Sequence, residues 1–392
     1  MTAPLQLPFE QAHPLQVAPQ LRELQARGTI HRVLTEVGDP AWLVVHHPDV
    51  RRLLDDDRLG RAHPEPKTAA RTGESALFGG PLGDFATEHA DHARMRALLQ
   101  PHFTPRHMRA LGPRIEILTR RLLDELAQNG PPADLHAMVA VPLPILVICE
   151  LLGVPYEDRE RFRGWTDDAA NTRDHARSEE GLAQLYAYGH QLVAAKRRQP
   201  GGDDVMSRLC ATDGVSDDEA AELSMALLFA GHETTVVHIG LTAMLLLANP
   251  EQWQALVAEP ALLPNAIEET LRASRRGGGQ MPRYARTDLE IGGVAIKAGD
   301  LVLLEIGGAN LDPAVFAGPD RVDITRMATS HVTFGYGARY CLGAPLARIE
   351  LQTVFSLLVS RFPTLRLAVD ARELTMRADE LAGGLTELPV RW

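Results

Sequence analysis

Disulfide chemistry is the first thing this 392-residue sequence leaves out. It carries three cysteines, Cys149, Cys210 and Cys341. So sparse and odd a set builds no disulfide framework and fits a reducing compartment. A basic surface is also missing. Lys and Arg number 40 against 51 Asp and Glu, a net charge of -11, which argues against a nucleic-acid partner. There is no internal repeat, no low-complexity tract, and no Ser/Gly/Pro linker or charge run to divide the chain. We therefore expect residues 1–392 to form a single domain, although the length exceeds that of an ordinary one. Long apolar runs are lacking as well. The stretches Met225 to Gly231 and Leu241 to Ala248 are interrupted by Glu233 and His238, so they read as a buried helix and not as a membrane span. Met1 to about Gln20 has neither an apolar run nor a cationic lead. No signal peptide or anchor is expected there, and the expected location is cytoplasmic.

What is present reads as mostly helical, with a smaller β-rich part. Ile30 to Thr35 and Ala41 to Val45 predict a hairpin around Gly38-Asp39-Pro40. Asp49 to Asp55 predicts a short helix. Pro64 to Phe85 is a long irregular segment rich in Gly, Pro and small residues. Arg106 to Arg198 is mainly helical, broken at Gly130-Pro131-Pro132 and at Gly153-Val154-Pro155. Thr166 to Arg177, polar and small, is expected to be a mobile cover over a pocket. Ser216-Asp217-Asp218-Glu219 is a capping-box signature, and the helix it opens should run to Asn249-Pro250. Arg283-Tyr284-Ala285 begins the β-rich stretch, which continues through Asp288 to Ile291, Val294 to Ile296 and Leu301 to Glu305.

Four clusters carry chemistry. His92 and Arg96 are four residues apart, so on a helix they share one face and suit carboxylates. A solvated basic face is the plainer alternative, and a metal pair of His89 and His92 lacks a third ligand. Ala230-Gly231-His232-Glu233-Thr234-Thr235 puts Gly, an acid and two hydroxyls inside an otherwise apolar helix, where each is a poor choice. A satisfied polar patch at a helix contact competes with a functional reading. Glu269 and Arg272 can pair across one helical turn. Finally, Phe334-Gly335-Tyr336-Gly337-Ala338-Arg339-Tyr340-Cys341-Leu342-Gly343 holds one cysteine in a glycine-punctuated loop, just before a helix expected to run to about Phe362. A helix N-terminus and Arg339 both favour an anionic sulfur. An inert buried thiol is the alternative for a lone cysteine, as it is for Cys149 and Cys210.

The last stretch resembles the haem-binding loop of the cytochromes P-450, Phe-Gly-x-Gly-x-His/Arg-x-Cys-x-Gly, at every fixed position. The resemblance runs from about Leu21 to the C-terminus, with four motifs in order. It implies a mainly α fold with a smaller β-rich part, and haem b (iron protoporphyrin IX) between the long central helix and the Cys341 loop. It implies that Cys341, in a loop opened by Phe334, ligates the iron as thiolate. It further implies that His92, Arg96, Arg283 and Arg339 meet the haem propionates, and that Glu233 and Thr234 form the acid–alcohol pair that delivers protons to O2, the co-substrate. Glu269, Arg272 and Arg326 would be a buried structural triad. Gly383 to Val390 would be a final turn reaching back into the pocket. The implied reaction is insertion of one oxygen atom into a C–H or C=C bond of a mostly apolar small molecule. The closest likeness is to actinobacterial tailoring hydroxylases of polyketides and macrolides. No flavin or iron–sulfur motif is present, so a ferredoxin and a ferredoxin reductase are implied as electron donors. A haem-thiolate binder or sensor without turnover, and a metal-free helical scaffold, are the alternatives. Two departures stand out: Arg275-Arg276-Gly277-Gly278-Gly279 replaces an apolar turn with proline, and Leu311 stands where Arg is usual.

Overall fold

The computed structural model of the chain describes residues 5–274, 279–377 and 383–392. The departure at Arg275 to Gly278 lies outside them. Among the described residues thirteen α-helices follow one another: α1 Pro19–Arg27, α2 His47–Leu54, α3 Glu88–Leu99, α4 Pro105–Asn129, α5 Pro142–Leu152, α6 Arg159–Ala169, α7 His175–Arg198, α8 Val205–Cys210, α9 Asp217–Leu247, α10 Pro250–Ala258, α11 Leu263–Ala273, α12 Ile306–Asn310 and α13 Ala344–Arg361. The strands are short: β1 Leu5–Gln6, β2 Ile30–Leu34, β3 Pro40–Val44, β4 Leu59–Gly60, β5 Ala133–Asp134, β6 Gln280–Ala285, β7 Leu289–Ile291, β8 Val294–Ile296, β9 Leu301–Glu305, β10 Arg366–Leu367 and β11 Pro389–Arg391. The expected α-rich fold with a minor β part is what forms. No described helix is long and apolar enough to cross a membrane.

The chain divides into two compact units. The first comprises 1–91, 241–341 and 369–375. Its sheet has the order β1-β2-β3-β9-β6-β4. The predicted hairpin is there, with Ile30 opposite Val44 and Leu34 opposite Pro40. Strand β9 is buried at all five positions, because residues alternate between the faces of a sheet and both faces here are covered. Val302 and Leu304 join Val44, Leu53 and Ile291 on one side. Leu301 and Leu303 join Leu21, Leu43 and Tyr284 on the other. On α11, Glu269 and Arg272 are both fully buried. Arg272 Nε and Nη2 each donate to the carboxylate at 2.8 Å, and Arg326 Nε donates to Oε1 at 3.2 Å. The main-chain N–H of Asp323 adds a further bond at 3.0 Å. The triad is therefore formed as expected, and it ties segment 323–326 to α11.

The second unit comprises 92–240, 342–368 and 376–392. Helix α4 packs on α13 and α6 on α7. Strands β10, β11 and β5 form an antiparallel sheet. Its α5 is apolar nearly throughout, with Cys149 among the buried residues; burial pushes that thiol up to about 12. Cys210 is likewise buried and raised, so both behave as packing residues. The expected cover from Thr166 to Arg177 is mostly regular structure: α6 continues to Ala169 and α7 begins at His175. Asp174 caps α7 by accepting from the Arg177 N–H, a signal that its polar composition concealed.

Candidate active site

The cysteine loop, in the first unit, is shaped by its own backbone. The Gly335 N–H donates to Val332 O at 2.8 Å, Tyr340 N–H to Gly337 O at 3.0 Å, and Cys341 N–H to Phe334 O at 2.8 Å. Phe334 and Cys341 are thus brought together across the turn. Gly335 and Gly337 have φ of 74° and 69°, a region that residues with a Cβ adopt at a cost. Gly337 is fixed for a second reason: a Cβ there would collide with the Asp55 carboxylate, which accepts from the Ala338 N–H at 2.9 Å. Cys341 is exposed and stands two residues before Gly343, the N-cap of α13.

Beside this loop lies a cluster of charge. Glu88 is buried and accepts from the main-chain N–H groups of Arg61 at 2.7 Å and Ala62 at 3.1 Å. It also pairs with Arg339 at 2.6 Å and Arg286 at 3.1 Å. Burial alone would raise its pKa; the two N–H groups and the two arginines overcome that and hold it below the ordinary value. The guanidinium of Arg61 lies 5.1 Å from the Phe78 ring, and its Nε is buried without a hydrogen bond. Arg283 is also buried. Burial, then its neighbours Arg61 and Arg339, push it down to about 9, with Glu88 opposing. Arg283 and Arg339 are thus brought together as the sequence implied. Arg61 and Glu88 are additions that no spacing in the sequence signals. The cluster holds more buried positive charge than Glu88 offsets. A partner with two carboxylates would satisfy it, so the donor set fits the propionates of a haem.

In the second unit, His92 and Arg96 lie a turn apart on α3, both half-buried. The long helix α9 opens as predicted, since Ser216 Oγ accepts from the Glu219 N–H at 3.1 Å. The reciprocal half of the capping box is diverted, because the Glu219 carboxylate pairs with Arg94 at 2.7 Å. Along α9 exposure recurs every fourth residue, at Glu222, Ala226, Ala230 and Thr234. Three of those four side chains are small, a pattern hidden in the sequence by the apolar residues on every other face. Thr234 Oγ1 donates to Ala230 O at 3.1 Å, so its lone pairs remain available to accept. Gly231 is needed for packing: a Cβ there would sit 2.7 Å from Ile148 Cδ1. Glu233 points elsewhere. With His136, His232, Val237, Leu385 and Thr386 it lines a cavity of about 290 Å³. The C-terminal turn therefore does reach into a pocket.

Comparison with known proteins agrees with these features. Residues 173–381 match the family described as cytochrome P-450. Pentalenolactone synthase of Streptomyces exfoliatus is 42% identical over 394 residues, with 98% of each chain covered. Mycinamicin IV hydroxylase/epoxidase of Micromonospora griseorubida is 39% identical, with 99% of each covered. Among solved structures, substrate-free cytochrome P-450 PimD, a polyene macrolide antibiotic pimaricin epoxidase, superposes with a TM-score of 0.89 at 37% identity over 100% of both chains. SgvP, a putative thioether synthase of griseoviridin tailoring, reaches 0.92 at 35% identity, again over 100% of both. On this likeness along its whole length, the chain belongs to the cytochrome P-450 family of haem- and O2-using monooxygenases.

Proposed function

We propose that the chain, working as one domain, oxygenates a mostly apolar secondary metabolite of polyketide, macrolide or terpenoid-lactone type by hydroxylation or epoxidation. What its relatives act on supports the substrate class. The observation that carries the site assignment is the buried, under-compensated arginine cluster beside the Cys341 loop. The group held is haem b, which when bound supplies the one-electron and dioxygen chemistry.

Each residue then has a task. The Cys341 sulfur, as thiolate, holds the iron. Arg283 and Arg339, helped by Arg61, take the propionates, and His92 and Arg96 do the same from α3. Phe334 fixes the Cys341 main chain. Thr234 has its own proton on Ala230 O, so it holds an incoming donor by accepting from it. Glu233 moves the proton. Electrons come from a ferredoxin and its reductase, in keeping with a cytoplasmic setting for a chain so poor in cysteine.

The test is a panel of polyketides, macrolides and terpenoids titrated against the Soret band, followed by turnover with a surrogate ferredoxin chain. At least one ligand that shifts the band should yield a product heavier by one oxygen atom. Ligands that shift it and never gain oxygen would favour a binder instead.

A further inference from the structure

The cavity beside Glu233 holds groups to which the roles above give no task. At about 100° of rotation per residue, His232, Glu233, Val236 and Val237 line it from one side of α9, and Thr234 lies on another. Glu233 is the acid on the cavity side, adjacent in sequence to Thr234. Facing α9 across the cavity, α6 contributes Arg163 and Asp167, both half-buried, while Thr386 is exposed. The space therefore runs from a polar, solvent-touched rim to the acid of the acid–alcohol pair. Its volume is that of about ten waters.

His232 is 3% exposed, and its Nε2 is a buried atom with no hydrogen bond among the described residues. The other ring nitrogen fixes the tautomer. Thr166 Oγ1 lies 2.8 Å from Arg163 O and 3.4 Å from His232 Nδ1. The single hydroxyl proton goes to the carbonyl, so toward the ring the oxygen can only accept. Nδ1 carries the proton, and Nε2 is left with a lone pair. The ring also stays neutral. Burial pushes it down to about 4; the Val141 carbonyl opposes this and Arg163 adds to it. His232 is therefore a fixed acceptor and does not carry the proton itself.

We propose that His232 is a positioning residue for the reaction: its Nε2 fixes the cavity water that resupplies Glu233 with protons. One O–H of that water donates to Nε2, and the other faces the Glu233 carboxyl. When Glu233 gives up a proton toward Thr234, it takes one from this water, which is refilled from solvent along the rim. No charge is left in the cavity. The inference rests on the monooxygenase reading and adds to it a residue and a direction of proton entry.

The test uses the holoenzyme with a plant ferredoxin and its reductase, without added substrate. Oxygen uptake consumes two protons per O2 reduced to peroxide and four per O2 reduced to water, so it reads proton supply. His232→Phe should lower uptake about tenfold and raise its H2O/D2O isotope effect, at unchanged haem content and an unchanged red-shifted band of the reduced carbon monoxide complex. His232→Gln, which keeps an acceptor at similar reach, should stay within about twofold of the parent. Equal rates and isotope effects for Phe and parent overturn the proposal, as does a Gln variant that behaves like Phe. In the carbon monoxide complex, ¹⁵N spectra of histidine-labelled protein should show His232 protonated at Nδ1; protonation at Nε2 overturns it even if a variant fails to fold. A parent lacking the red-shifted band would instead sink the monooxygenase reading.

Discussion

Replacing Arg283 by Met should make the haem-free protein more stable, although a buried hydrogen-bonded side chain is lost. The reasoning starts from its surroundings. Burial and the guanidinium groups of Arg61 and Arg339 push Arg283 down to about 9. At 1.36 kcal/mol for each tenfold change in proton affinity, the distance from an ordinary arginine is about 5 kcal/mol held against the folded state. The bond from Nη1 to Pro282 O, 2.8 Å long, returns about 1 kcal/mol. Water entering the cluster reduces the charge penalty further. A net gain of about 3 kcal/mol for Arg283→Met is therefore expected from urea unfolding of haem-free protein, followed by tryptophan fluorescence. The sign with pH follows from the lowered value. The folded state disfavours the cation, so the penalty is fully present below pH 9. It fades as pH rises above 9 and the buried group loses its proton. The gap between variant and parent should narrow in the same way. With haem bound the order should reverse, because the parent gains a partner for its charge and the variant does not. A haem-free variant less stable than its parent at pH 7 would refute the account, leaving Arg283 a structural residue.

Three further outcomes are expected. Cys341→Ala should abolish the red-shifted absorption of the reduced carbon monoxide complex, and persistence of that band would remove the ligand assignment. Thr234→Ala, which deletes the acceptor and little else, should raise the share of electrons released as peroxide several-fold; an unchanged share would end its part in proton delivery. Glu269→Ala leaves Arg272 and Arg326 facing each other without their anion and should cost about 3–5 kcal/mol in denaturant unfolding, whereas a loss below 1 kcal/mol would mean the triad is not structural.

Local signals carried much of this to the reader of the sequence. Gly38-Asp39-Pro40 announced the β2–β3 hairpin, Ser216 and Pro250 bracketed α9, and the glycines around Cys341 announced a loop whose φ values only glycine adopts cheaply. The spacing of Glu269 and Arg272 announced a pair, and the family likeness supplied Arg326. What stayed hidden depends on distant contacts. Arg61 and Glu88 are 27 residues apart and no periodicity joins them. The exposed row Ala226, Ala230, Thr234 cannot be told from a packed face, because the residues around it are apolar too. Which nitrogen of His232 holds the proton depends on Thr166, 66 residues away, and no local pattern signals that contact. In the polar stretch 166–177, 166–169 continues α6 and 175–177 opens α7 behind the Asp174 cap, boundaries that composition did not signal.

Glu88 serves four groups at once: two main-chain N–H donors and the side chains of Arg286 and Arg339. A single acid so fully committed has nothing left for Arg283. The cluster is in that sense built short of anions, and it comes closest to electrical balance only when a dicarboxylate arrives. Since a partner bound by the folded form alone draws more chains into that form, the amount of intact protein a cell keeps should track its porphyrin supply.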